Sequence, residues 1–163
     1  MSFHFRIIKS SLFAMLMTVL VFGAHVSASG PVVLTVSGQI EGDAVAFDRE
    51  MLESLDWREI RTWTSFTEGE QVFAGPTLKS VLEAVGARGS KLRAIAINDY
   101  AIDIPVDHAE AHDVLLALDH NGRTMRVRNK GPVWVIYPQS ETESKNPKFD
   151  AEMIWQLDRI SVE

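Results

Sequence analysis

From Leu92 onward the chain alternates short apolar runs with turn residues, a pattern that predicts a succession of strands in its C-terminal half. Leu92–Asn98 (L-R-A-I-A-I-N) and Tyr100–Ile104 (Y-A-I-D-I) are β-type runs joined through Asn98-Asp99, a spacing that predicts a hairpin. Val114–Asp119 reads as an apolar strand, His120–Arg123 supplies an Asn-Gly turn, and Val133–Tyr137 reads as a buried strand introduced by Gly131-Pro132. A polar loop follows between Pro138 and Ala151. Ile154–Val162 alternates as a terminal strand should.

The N-terminal half mixes both periods. Val32–Gly38 reads as a strand, and Asp48–Leu55 as a short helix with Asp48 as N-cap and Phe47, Met51, Leu52 and Leu55 at helical spacing. Ile60–Phe66 (I-R-T-W-T-S-F), rich in β-branched and aromatic residues, predicts a strand running into a loop over Thr67–Gln71. Pro76 or Thr77 opens a second helix with Leu78, Val81, Leu82 and Val85 on one face, stopped by Gly86. Val106–Asp113 is a polar connection with room for one helical turn capped by Asp107. Strands outnumber helices, which gives a mixed α+β fold with a partly barrel-like sheet.

Residues 1–28 have the three parts of a secretory signal peptide: Arg6 and Lys9, the apolar run Leu12–Phe22, and small residues ending Val26-Ser27-Ala28. The apolar run is shorter than the roughly 20 residues of a spanning helix. The expectation is an exported, periplasmic protein with a single domain over residues 29–163. Two of the 16 basic residues and none of the 22 acidic ones precede Ser29, so the remainder carries a net charge of −8. Such a surface repels nucleic acid. The sequence has no cysteine, which removes disulfide, iron–sulfur and zinc-thiolate sites.

Two stretches carry a resemblance. Phe73–Ala87 (F-A-G-P-T-L-K-S-V-L-E-A-V-G-A) and Asn98–Pro138, with N-D-Y-A-I-D-I-P and then G-R-T-M-R-V-R-N-K-G-P-V-W-V-I-Y-P, resemble the oxidoreductase molybdopterin-binding domain of the sulfite-oxidase type. The resemblance implies a pterin pocket and, in the family's enzymes, a molybdenum ion held by a cysteine thiolate at the end of the strand that here reads Glu59-Ile60-Arg61-Thr62-Trp63-Thr64. The matching position is Thr62 or a neighbour, and a threonine hydroxyl does not replace a soft thiolate. The expectation is a pterin ligand, reduced, without molybdenum.

The residues admit paired readings. Trp63 and Phe66 form either a stacking platform for a flat heterocycle or core packing. Arg126, Arg128 and Lys130 recur at a spacing of two, so in an extended segment they share one face; Arg128 or Lys130 then donates to a pterin at the pocket mouth, or the stripe is a solvated edge. Tyr137 is either a pocket hydroxyl or a core tyrosine. Asn98, Asp99 and Tyr100 face the cofactor side in the resembled family; Asp99, or Glu68 in the loop after Phe66, can match the two-donor edge of a pterin, or Asp99 is simply a turn residue. His108 and His112 lie four apart but no H-E-x-x-H accompanies them, and no metal site is expected. No G-x-S-x-G, P-loop or dinucleotide fingerprint occurs.

Small exported proteins similar to this family act as ligand sensors that pass the pterin state to the periplasmic domain of a membrane cyclic-di-GMP enzyme or sensor kinase. That role is the leading expectation. A molybdenum-cofactor oxidoreductase or its subunit, and a structural or assembly protein with a vestigial pocket, are the alternatives.

Overall fold

The computed structural model describes residues 28–145 and 148–163, so the signal-peptide reading falls almost wholly outside the described residues. In chain order the elements are β1 (Leu34–Gly38), β2 (Val45–Phe47), α1 (Arg49–Glu53), β3 (Trp57–Thr62), β4 (Gln71–Pro76), α2 (Leu78–Ala84), β5 (Lys91–Ala96), β6 (Ala101–Pro105), α3 (His108–Ala111), β7 (Leu115–Ala117), β8 (Asp119–His120), β9 (Arg123–Thr124), β10 (Val133–Ile136), α4 (Glu141–Ser144) and β11 (Trp155–Val162). The fold is mixed α+β, a curled half-barrel sheet with a few short helices. No described helix is long and apolar enough to cross a membrane.

A seven-stranded sheet is organised around β11, which pairs parallel with β1 and antiparallel with β10 and β5. The hairpin β5–β6 extends it on one side, and β10 leads to β7 on the other. A second, four-stranded sheet runs β3-β4-β8-β9. The chain passes from β7 into β8 with only Leu118 between, so one extended segment serves both sheets and bends one against the other. At that crossing β4 lies on β7 so closely that a Cβ on Gly75 would stand 2.0 Å from the Leu116 carbonyl oxygen; only glycine fits there.

Strand β10 shows why the run Val133–Tyr137 is apolar throughout. Val133, Val135 and Tyr137 enter the main core with Leu34, Leu92 and Leu157, while Trp134 and Ile136 enter a second core with Phe73, Leu115 and Met125. A strand buried on both faces has no polar alternation.

The cap predicted at Asp48 is met, and of Pro76 and Thr77 it is Thr77 that opens the second helix. Asp48 accepts from the Met51 amide at 2.9 Å, and Thr77 accepts from the Ser80 amide at 3.2 Å, with Gly86 at φ +59° ending the turn after α2. Asp107 precedes α3 but makes no side-chain cap bond. Asp48 also accepts from the amides of Gly30 at 2.8 Å and Ser29 at 2.7 Å, and these amide bonds, Met51 and Gly30 foremost, hold its carboxyl below the usual aspartate range. A depressed folded-state pKa contributes stability that is present above the ordinary aspartate value and is lost as pH falls through the lower folded one. An Asp48→Asn variant is therefore expected to unfold with a shallower dependence on acid than the parent below about pH 4, measured by circular dichroism across a pH series.

Three elements correct the sequence reading. The predicted strand Ile60–Phe66 begins earlier and ends earlier, as Trp57–Thr62, because Thr64 turns back to accept the Phe66 amide at 3.2 Å and bonds Thr67 at 2.8 Å. Gln71–Pro76 is a strand, paired along its length with β3, where the sequence reading ends a loop at Gln71, assigns nothing to 72–75 and opens a helix at Pro76 or Thr77. The basic segment before Gly131-Pro132 is not extended: Val127–Asn129 is a 3₁₀ turn and Lys130 is left-handed at φ 69°, so Arg126, Arg128 and Lys130 do not form one stripe. Three small elements are not expected from the sequence: β2, β9, and α4, which opens on a capping box between Ser140 and Glu143.

Candidate functional site

Three segments far apart in sequence converge on one cleft. The loop after β3 brings Phe66, the β5–β6 turn brings Asn98 and Tyr100, and the run Asp150–Gln156 entering β11 brings Asp150, Met153 and Trp155. The cleft holds about 360 Å³. That is near the lower end for small-molecule sites and suits a bicyclic ring. Its aromatic walls are set by contact: Phe66 meets Trp155 edge-on at 5.4 Å, and both lie near the buried Trp134, whose indole N–H donates to the Met153 carbonyl at 3.0 Å. Tyr100 and Trp155 remain 57% and 40% exposed, large apolar surface left open in a protein that buries its other tryptophan at this site.

The backbone around the cleft is unusual. Asp99, Lys130 and Gln156 are left-handed, with φ of 62°, 69° and 56°. None is glycine, so each conformation is sustained by its surroundings. Gln156 shows how: its amide donates to the Lys130 carbonyl at 2.9 Å, its carbonyl accepts from Ile97 at 2.9 Å, and its side chain donates to the Val127 carbonyl at 2.8 Å. One residue thus ties the β5–β6 turn to the 3₁₀ turn across the start of β11.

Lys130 sits among the rings rather than on the surface. Its ammonium lies 4.3 Å from the Trp134 ring centre, 5.0 Å from Trp155 and 5.3 Å from Phe66, and it approaches the Phe66 carbonyl at 3.4 Å. Burial holds the amine below the usual lysine range. Arg128 stays exposed on the 3₁₀ turn. Lys130→Ala is therefore expected to lower stability by about 1–3 kcal/mol through lost cation–π contact and stem packing, while Arg128→Ala stays within about 0.5 kcal/mol, both read from urea unfolding.

The other candidates lie beside the cleft rather than in its lining. Thr62 is buried, and its hydroxyl accepts from the Gln139 amide at 2.7 Å and donates to the Gln139 carbonyl at 3.1 Å, which also receives the Trp63 amide at 3.1 Å. Thr64 shapes the turn that presents Phe66. Trp63 is half-buried, without an aromatic neighbour among the described residues. Tyr137 is fully buried, stacked on Phe149 at 4.5 Å, and its hydroxyl donates to Glu152, whose same oxygen lies 2.8 Å from His108. Burial, then the Glu152 bond, pushes that hydroxyl's pKa far up. His108 and His112 meet edge-on at 4.8 Å, but among the described residues no group of three or more His, Asp or Glu is placed to hold a metal ion.

Sequence reasoning missed Asp150, Met153, Trp155 and Gln156. One signal was present: a tryptophan at the exposed head of a strand asks for a partner. Among the described residues two buried side-chain oxygens have no hydrogen-bond partner, Gln139 Oε1 and Asp150 Oδ1. Both belong to residues that anchor the Thr62–Phe66 segment, Gln139 through Thr62 and Asp150 through Ser65.

Neither Thr62 nor its neighbours offer a thiolate. The sequence has no cysteine, and the Thr62 hydroxyl is already committed in both directions to Gln139. These residues do not fit a molybdenum ion.

Comparison with known proteins places the fold. No curated protein matches the chain. Among solved structures, the sulfane dehydrogenase SoxCD from Paracoccus pantotrophus is similar, with a TM-score of 0.61 at 18% identity over 80% of this chain. The match spans 38% of that longer chain. The family described as the oxidoreductase molybdopterin binding domain matches residues 46–148, well over half of the sequence and short of the Asp150–Gln156 side of the cleft. The chain belongs to the oxidoreductase molybdopterin-binding domain family.

Proposed function

We propose that this chain is an exported pterin-binding protein without metal-dependent catalysis, whose occupancy is read by the periplasmic domain of a membrane signalling protein, a cyclic-di-GMP enzyme or a sensor kinase. The observation that carries the ligand is the cleft of about 360 Å³ whose lining includes Phe66, Tyr100 and Trp155. A flat heteroaromatic bicycle gains stacking and desolvation there. Asp150 Oδ1, in a residue that lines the cleft and without a partner among the described residues, favours a ligand rich in N–H donors, and a reduced pterin carries more of them than an oxidised one.

The absence of a thiolate supports binding without molybdenum chemistry. Export rests on the pattern of residues 1–28. Signalling is supported by the surface around the cleft: Ile97, Tyr100 and Trp155 stay exposed, so a ligand seated against them alters an apolar patch that another protein can sense. The family match favours a second reading, a molybdenum-cofactor oxidoreductase or its subunit.

Anaerobic calorimetry with a tetrahydropterin, together with a sulfite-oxidation assay on protein from cells that make the molybdenum cofactor, separates the two. The proposal expects one ligand bound per chain and no turnover. Turnover, or no binding, contradicts it.

A further inference from the structure

We infer that Asp150 reads the edge of the bound ring, so that the protein distinguishes a pterin from a pteridine with oxygen in place of the 2-amino group. This rests on the reading of the cleft as a pterin site. Asp150 is the only carboxylate among the residues lining the cleft. Its two oxygens are used unequally. Oδ2 accepts the Ser65 hydroxyl at 2.5 Å, which fixes the carboxylate against the loop that carries Phe66. Oδ1 is shielded from solvent and, among the described residues, has no partner.

A shielded carboxylate oxygen without a donor is unfavourable, and a ligand that supplies one recovers the loss. Each carboxylate oxygen has two acceptor sites, so Oδ2 can keep Ser65 and still receive a second donor. The ligand group that matches two adjacent acceptors in one plane is a pair of adjacent N–H donors. A pterin has this at N3–H and the 2-amino group, in the plane of the ring that the aromatic walls would hold. In the 2,4-dioxo analogue an oxygen replaces the amino group, so one donor disappears and a lone pair faces the carboxylate.

Neither Asp99 nor Glu68 is placed for this role. Asp99 is taken by Arg159 at 2.5 Å on the exposed turn, and Glu68 lies exposed and outside the lining.

The test compares a tetrahydropterin with the corresponding 2,4-dioxo tetrahydropteridine by anaerobic calorimetry, on the parent protein and on Asp150→Asn. The parent is expected to prefer the pterin by roughly ten- to hundredfold, the scale of a charge-assisted hydrogen bond. Asp150→Asn presents a donor beside an acceptor and is expected to lose that preference or invert it. Equal binding of both ligands by the parent, or an unchanged preference in Asp150→Asn, overturns the role of Asp150 while leaving the pterin cleft standing. Failure of the parent to bind either compound overturns the cleft reading and this inference together. The comparison on the parent needs no variant to fold.

Discussion

Trp155→Ala is expected to weaken binding of a tetrahydropterin by roughly ten- to hundredfold while the protein stays folded. Trp155 heads β11 with 40% of its surface open, so most of what it contributes waits for a ligand rather than for the core. Aromatic stacking on a nitrogen heterocycle is worth about 1–3 kcal/mol per ring, which converts to that range of affinity. Trp63→Ala is the matched control. Trp63 shares the aromatic character that a sequence reader would choose, yet it lies outside the cleft lining, and its variant should bind like the parent. Calorimetry on both, with far-ultraviolet circular dichroism to confirm folding, decides between them: a loss at Trp63 and none at Trp155 moves the platform to the other side of the loop.

Thr62→Val is expected to cost about 2–3 kcal/mol of stability, whereas Thr62→Ser costs about 1 kcal/mol or less. Valine keeps the shape and removes the hydroxyl that joins the end of β3 to Gln139. The Gln139 carbonyl retains the Trp63 amide, but the Gln139 N–H is left buried without an acceptor, and that unmet donor sets the cost. Serine keeps both bonds and gives up one methyl group. Urea unfolding of the pair measures the difference. If valine and serine behave alike, the Thr62 hydroxyl has no structural role, and the reason for threonine there lies elsewhere.

The parts of the fold that could be read from the sequence are those fixed by local chemistry. Asp48 and Thr77 announce their helices because a side-chain oxygen at that point caps the first turn. Asn121-Gly122, left-handed at both residues, announces its hairpin because that turn requires it. Strand β10 is legible because burial on both faces leaves no polar residue to confuse the pattern. Strand β4 was not. Its Gly75-Pro76 looks like a break, and only the approach of β7, which the sequence does not display, explains a glycine inside a strand. Strand β3 was displaced because its charged residues Arg58, Glu59 and Arg61 face solvent on an edge strand, while the more strand-like Thr64–Phe66 is diverted by a threonine side chain.

The cleft was legible in half. Asn98 and Tyr100 lie in a stretch that resembles a known family, and Phe66 is an aromatic residue at the end of a predicted strand. Asp150 and Trp155 lie in a polar loop and a terminal strand that have no motif, and they reach the cleft because β11 sits centrally between β10 and β5. Lys130 illustrates the limit most clearly. Its spacing from Arg128 suggests a shared face, but a left-handed backbone at Lys130 turns it inward among three rings.

Under the proposed function, this member of the molybdopterin-binding domain family holds a pterin alone. The most direct test is the composition of the protein purified from cells that make the molybdenum cofactor, with metal content measured by elemental analysis and bound pterin by fluorescence after oxidation. The expected composition is a simple pterin approaching one per chain with molybdenum far below one. Molybdenum at one per chain, with the product of a dithiolene-bearing pterin, would contradict it.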